Sequence, residues 1–205
     1  MIRVAAKYVS VGMAALLAGC GGEDAGQRVA FGDWRGVRLD VPIERPDFRL
    51  TATDGTIFDF RRDTDRQLAL LFFGYTHCPD ICPVHMTNLA AVLRQLPYEA
   101  KSRVAVVFVS TDPERDTAAR IREWLDAMDP SFIGLRGTIE EVNAIQRAVG
   151  LPPAQAGPQT GDAYAVGHAA QILAFAPDGP ARFAYPFGTR QTDWLADIPR
   201  LLDSP

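Results

Sequence analysis

Two stretches of the chain are apolar at nearly every position, which is typical of strands that are buried on both faces of a sheet. They are residues 67–75 (QLALLFFGY) and 103–110 (RVAVVFVS). Between them, residues 82–97 have apolar side chains at helical spacing and end at a proline. The pattern therefore predicts a strand–helix–strand unit.

The regions on either side of this unit predict further elements. Residues 47–60 alternate between apolar and polar around Asp54-Gly55, which indicates a β-hairpin. The remaining predicted elements are helices over 121–128, 139–149 and 194–202, a short strand over 132–136 and a second hairpin formed by 171–176 and 182–185. This order predicts an α/β domain with a central mixed sheet, flanking helices and an N-terminal β-hairpin.

The N-terminus has the pattern of an export signal. Arg3 and Lys7 precede an uncharged stretch over residues 8–22, which is shorter than the ~20 apolar residues that span a bilayer. The sequence LAGC, ending at Cys20, resembles the lipobox of bacterial lipoproteins, and this implies cleavage before Cys20 and lipidation of its thiol. We therefore expect a membrane-anchored lipoprotein that faces the periplasm or the cell exterior.

This interpretation divides the chain into three parts. Residues 1–19 form the signal peptide, residues 20–40 a flexible lipid-anchored linker, and residues 41–205 the folded domain. The composition fits one such domain, because 47% of the 205 residues are hydrophobic and 22% are charged. The net charge of −4 leaves no basic excess for a phosphate backbone, so nucleic acid is not an expected partner.

Cys78 and Cys82 lie in the loop after the first buried strand, at the edge where open α/β sheets place their functional sites. Their spacing would put them one turn apart on a helix, with Cα atoms about 6 Å from each other, which a disulfide tolerates. A helix start next to the pair is expected to lower the pKa of the thiols. The pair can therefore cycle between dithiol and disulfide or bind a metal.

Two thiolates are soft ligands that select Cu(I), zinc or iron–sulfur species, and they need at least one more ligand. The chain contains three histidines, namely His77, His85 and His168. His168 precedes the predicted strand 171–176 and would face the cysteines if that strand neighbours strand 67–75. His85, three residues after Cys82, is an alternative ligand.

Two segments together resemble the Sco/SenC family: residues 74–83 (GYTHCPDICP) and residues 110–117 (STDPERDT). The resemblance implies a thioredoxin-like fold and a copper ion bound by Cys78, Cys82 and His168. It also implies a metallochaperone that delivers copper, as Cu(I) or Cu(II), to the dinuclear copper site of cytochrome c oxidase subunit II. Other periplasmic copper chaperones or thioredoxin-like reductants are further expected partners.

The chain departs from the family pattern next to His168. The family usually has Asp before this histidine and Ser after it, whereas this chain has Gly167 and Ala169. A carboxylate there would help to orient the imidazole, so the resemblance predicts a site without that partner. Within residues 112–117 we expect a scaffolding role, with Asp116 as the N-cap of the following helix. Asp80 is either a polar group near the metal, a partner contact or a solvated carboxylate.

Thiol–disulfide chemistry is the alternative function. The pair would then keep the copper-site cysteines of the oxidase reduced, with Cys78 as attacking and Cys82 as resolving thiol, or act as a redox sensor. Enzymatic activity is left open in this interpretation, and a non-enzymatic carrier is favoured.

Two other classes have less support. Peroxiredoxins carry Thr or Ser three residues before the reactive cysteine and Pro four residues further back, where this chain has Tyr75 and Leu71. A zinc site would lack a fourth protein ligand.

Overall fold

The computed structural model describes residues 33–158 and 164–203. The strands are β1 (Val37–Ile43), β2 (Arg49–Ala52), β3 (Ile57–Asp59), β4 (Leu68–Gly74), β5 (Val104–Ser110), β6 (Ile133–Arg136), β7 (Gln155–Ala156), β8 (Val166–Gly167), β9 (Ile172–Phe175) and β10 (Ala181–Tyr185). The helices are α1 (Phe60–Asp63), α2 (Ile81–Gln95), α3 (Tyr98–Lys101), α4 (Ala118–Asp126), α5 (Ile139–Ala148) and α6 (Gln191–Leu202).

The central sheet is mixed and has the strand order β1-β10-β9-β4-β5-β6-β2-β3. Its middle strands β4, β5 and β6 are parallel, whereas β9 pairs with β4 in the antiparallel direction. The hairpin β2–β3 extends the opposite side of the sheet by pairing with β6. The predicted α/β fold with a mixed, helix-flanked sheet and an N-terminal hairpin is confirmed.

Strand β4 shows why its sequence is apolar throughout. All seven of its residues are buried, and alternate side chains point to opposite faces of the sheet. Leu70 and Phe72 join the core that packs against α2, α4 and α6, whereas Leu71 and Phe73 join the core on the side of α1 and α5. With helices on both faces, β4 has no face for a polar residue.

The structure corrects the boundary of the predicted linker. Residues 37–40, which we assigned to the linker, belong to β1, and β1 pairs with β10. The residues just before β1 are also held, because the backbone N–H groups of Arg35 and Gly36 donate to Asp197 Oδ2 on α6 at 2.9 and 2.8 Å. The folded domain therefore begins before residue 41. The predicted signal peptide, Cys20 and most of the linker lie outside the described residues.

The elements that the sequence pattern missed, apart from β1, are very short. Helices α1 and α3 have four residues each, and β7 and β8 have two residues each, so none of them shows a period. Among the described residues, none of the helices combines the length and the apolar character needed to cross a bilayer.

Arg45 is a buried arginine, only 6% exposed, in the connection between β1 and β2. Its guanidinium donates to Gln67 O at 2.9 Å and to Ala176 O at 2.8 Å, and it also bonds the backbone and side chain of Thr64. These acceptors come from the turn before β4 and from the β9–β10 hairpin. One side chain thus satisfies backbone oxygens from separate segments, at the end of the sheet away from the cysteines.

We expect Arg45→Met to lower the free energy of unfolding by about 3 kcal/mol or more, because each buried carbonyl left unpaired costs about 1–3 kcal/mol. Denaturant unfolding followed by circular dichroism measures this. The matched control is Arg49→Met, since the Arg49 side chain is 69% exposed in its ion pair with Asp59, and its loss should cost less than about 1 kcal/mol. Equal losses in the two variants would contradict the structural role of Arg45.

Candidate metal centre

Cys78 and Cys82 lie in the loop that leaves the carboxyl end of β4 and in the first turn of α2. The N–H of Cys78 donates to Tyr75 O at 3.2 Å, which closes a turn before the helix begins. Cys82 is the second residue of α2, and its N–H donates to Cys78 Sγ at 3.4 Å. The spacing suggested that both cysteines lie on one helix, but only Cys82 does, because Cys78 precedes α2. The sulfur of Cys78 instead accepts a hydrogen bond from one of the backbone N–H groups that the first turn leaves unpaired.

Gly74, the last residue of β4, makes room for this arrangement. A Cβ atom on Gly74 would lie 2.9 Å from Cys82 Sγ and 2.9 Å from the Phe72 ring. Neither contact could be relieved without moving the sulfur or the core aromatic side chain. Glycine at this position is thus required by the close approach of Cys82 to the strand.

Both thiols are free and buried, but not equally. Cys82 is fully buried and Cys78 is 8% exposed. Burial raises the pKa of the Cys82 thiol, and the neighbouring Cys78 adds to this effect. The expected lowering of the pKa is therefore wrong for Cys82, because the cost of desolvating a charged sulfur exceeds the lowering that comes from the hydrogen bond with the Tyr75 backbone.

The pairing of β9 with β4 places His168 beside the cysteines. Because β9 runs antiparallel to β4, with Leu173 opposite Leu71, the residues before β9 lie at the carboxyl end of β4. His168 Nε2 is 3.5 Å from Cys82 Sγ, and the donor atoms of Cys78, Cys82 and His168 all lie within 4.8 Å of one another. The structure brings together the three residues that the sequence singled out.

The imidazole of His168 is oriented by the backbone. Its Nδ1 lies 2.9 Å from Ala169 O, and since a carbonyl only accepts, Nδ1 carries the hydrogen and Nε2 presents its lone pair towards Cys82. The peptide oxygen thus takes the role that a carboxylate at position 167 would have. Burial lowers the pKa of His168, which keeps the ring neutral and able to act as a ligand.

The other two histidines are not part of this group. His85 is buried on α2, and its Nε2 donates to Ala170 O at 2.8 Å, which directs that nitrogen to the backbone. His77 is exposed and lies 3.6 Å from Asp116. Asp80 is the N-cap of α2, with its side chain accepting from Ile81 N, so its position is explained by helix capping.

Asp116 has a different structural role from the one predicted. Thr117 is the N-cap of α4, whereas the Asp116 carboxylate accepts from Thr76 N at 3.0 Å, Thr76 Oγ1 at 2.6 Å and Ser110 Oγ at 2.7 Å. His77, Asp112 and Asp116 also form a group with metal-ligand spacing. Both oxygens of Asp116 already accept protein hydrogen bonds, and this carboxylate ties the cysteine loop to the end of β5.

A second support was not visible in the sequence pattern. Asp112 pairs with Arg115 at 2.5 Å and accepts from the Tyr164 hydroxyl at 2.7 Å, while the Arg115 guanidinium lies 3.6 Å from the centre of the Tyr164 ring. Tyr164 begins the segment that leads to His168. The scaffolding role expected for residues 112–117 thus includes fixing the start of that segment.

Comparisons with known proteins point to one family. The sequence model of the SCO1/SenC family matches residues 39–203. A putative copper-binding protein of Stutzerimonas stutzeri is 34% identical over 145 residues, which cover 70% of this chain and 71% of that protein. The chain spans less than half the length of other curated relatives that it matches.

Solved structures agree with this. Apo Sco1 from Thermus thermophilus has a TM-score of 0.73 at 32% identity, covering 84% of this chain and 99% of that one. ScoI from Bradyrhizobium japonicum, with copper bound, has a TM-score of 0.67 at 32% identity, covering 77% and 99%. The family match contains both cysteines, His168 and nearly the whole sheet, and the chain therefore belongs to the SCO1/SenC family.

Proposed function

We propose that this protein binds a copper ion through Cys78, Cys82 and His168 and delivers it to cytochrome c oxidase during assembly, at the dinuclear copper site of subunit II. The observation that carries the proposal is the convergence of two thiols and one neutral imidazole within 4.8 Å of one another. Sulfur and imidazole donors favour copper over hard cations such as Mg²⁺. Copper-bound Sco relatives add support.

The donor set fits a transferable ion. Because burial raises the pKa of Cys82, its thiol is protonated in the metal-free protein, and copper binding releases that proton. Cys78 is the more exposed of the two sulfurs. We infer that it is the ligand which an acceptor thiolate replaces first, so that the ion passes by stepwise ligand exchange.

The copper proposal is tested by competition titration of the reduced domain with Cu(I) and a chelator. We expect one copper per protein. Cys78→Ala and Cys82→Ala should each lower the affinity by more than about 100-fold, and His168→Ala by at least about tenfold. Loss of a residue that only hydrogen-bonds a ligand already lowers metal affinity by about 10–100-fold, and loss of the ligand itself should cost at least as much. His77→Ala is the matched control and should bind like the wild type. Unchanged binding in Cys82→Ala would refute the proposal.

A second candidate function is thiol–disulfide exchange with the copper-site cysteines of the same acceptor. Two observations favour it. Both cysteines are free, and the Cys78 sulfur lies 3.4 Å from the backbone nitrogen of Cys82, so the two residues are in contact. In this reaction the target disulfide gains two electrons and two protons while Cys78 and Cys82 form a disulfide. His168→Ala should spare this exchange and still weaken copper binding, which separates the two functions.

Iodoacetamide should modify Cys78 at least about tenfold faster than Cys82 in the reduced, metal-free protein. The reason is that a buried, protonated thiol is both inaccessible and a poor nucleophile. Timed quenching followed by peptide mass spectrometry measures the two rates. Cys78→Ala should leave the native domain nearly unreactive, and faster modification of Cys82 would contradict the assignment of Cys78 as the attacking thiol.

We further propose that the chain is lipidated at Cys20 and held on a membrane facing the periplasm or cell exterior. In cells given a labelled fatty acid, the wild-type chain should take up label and sediment with membranes. Cys20→Ser should remove the label, whereas Cys78→Ser should keep it. Labelling that persists in Cys20→Ser would refute the anchor.

A further inference from the structure

We propose that His85 is a positioning residue for the metal centre, which holds the segment carrying His168 against α2 through the hydrogen bond from its Nε2–H to Ala170 O. This inference rests on the proposed copper function. It gives a role to the one buried histidine that the ligand set does not use.

The contact joins the two elements that supply ligands. His85 lies three residues after Cys82, so it is about one helical turn further along α2. Ala170 lies two residues after His168, and its oxygen is 2.8 Å from His85 Nε2. This hydrogen bond therefore connects the helix of Cys82 with the segment of His168, in addition to the 3.5 Å contact between Cys82 Sγ and His168 Nε2.

The segment needs such a contact, because it lies between strands. β8 ends at Gly167 and β9 begins at Ile172, so residues 168–171 are outside the strand ladder. Gly167 adds backbone freedom at the start of the segment. A Cβ at Gly167 would approach only Gln155 O, at 3.7 Å, so packing does not require glycine there.

Aromatic side chains around His85 restrict the orientation of its ring, and therefore the direction of its hydrogen bond. Its ring packs against Phe72, with centroids 5.1 Å apart, and against Phe187, at 5.6 Å. The His168 ring packs on the same Phe72 at 5.9 Å. Aromatic packing restricts the positions of the two imidazoles, and the bond to Ala170 O ties the backbone of the segment to α2.

His85 is 3% exposed, and burial lowers its pKa. A buried imidazole N–H without an acceptor would be costly, so the contact with Ala170 O is maintained in the folded protein. The bond also directs His85 Nε2 to the backbone, so this nitrogen does not compete with His168 for the metal.

The test compares two amides of equal polarity. In His85→Gln the side-chain N–H₂ group reaches about as far as imidazole Nε2, whereas in His85→Asn it is one methylene too short. We expect the wild type and His85→Gln to agree within about threefold in Cu(I) affinity, and His85→Asn to bind about tenfold or more weakly, as expected when a ligand loses its orienting contact. Val84→Ala, which changes an exposed side chain beside His85 on α2 and leaves the hydrogen bond in place, is the control and should bind like the wild type.

Two readouts separate positioning from a general loss of structure. In the metal-free protein, amide hydrogen exchange at residues 168–171 should be about tenfold faster in His85→Asn than in His85→Gln. The exchange rates of β4 and α2 should be the same in the two variants. In a His168→Ala background, His85→Asn should have no further effect on Cu(I) affinity, since the contact acts through His168. If His85→Asn fails to fold, His85→Leu replaces it in both measurements.

Equal Cu(I) affinity and equal exchange in the Gln and Asn variants would overturn the proposal, as would an undiminished effect of His85→Asn without His168. A wild-type protein that binds no copper would instead refute the proposed function, and the exchange measurement would still decide the role of His85.

Discussion

The antiparallel pairing of β9 with β4 is the constraint on which the candidate site depends. The cysteines follow β4 directly along the chain, whereas His168 is 86 residues from Cys82. Because two antiparallel neighbours bring the end of one strand beside the start of the other, this pairing places the imidazole at the cysteine loop. The apolar side chains of β4, buried on both faces, stabilise the strand that holds both halves of the site.

Burial gives the site its chemical character. A thiol in an apolar environment resists ionisation, so Cys82 remains protonated until a cation compensates the charge on its sulfur. Burial likewise keeps His168 neutral, which is the form that binds a metal. The same environment thus disfavours free thiolates, and under the proposed function copper binding and thiol exchange are competing uses of one pair of cysteines.

The residues around the ligands act by fixing segments to one another. Asp116 joins the cysteine loop to the end of β5, and Asp112 with Arg115 holds Tyr164 at the start of the segment that leads to His168. His85 bonds the same segment beyond the histidine. Both segments that carry the proposed ligands are therefore tied to neighbouring elements, which suits the proposed transfer of an ion because the donor atoms keep their positions when the ion leaves.

The sequence by itself determined the elements with a clear period and the residues of the site. The apolar runs of β4 and β5, the helical spacing in α2 and the Asp54-Gly55 turn are local properties. Cys78 and Cys82 stand out by residue type and motif, whereas His168 was indicated as a ligand by the family resemblance. Tertiary structure alone decided that residues 37–40 belong to a strand that pairs with β10 and that Arg45 donates to backbone oxygens of separate segments. It also decided that Ala169 O orients His168 and that His85 donates to Ala170 O. Those contacts join residues far apart in the chain or use backbone atoms, which every residue carries. No local pattern of side chains therefore predicts them. The direction of the pKa shift of Cys82 belongs to the same group, because desolvation depends on the packing of the whole core around the sulfur.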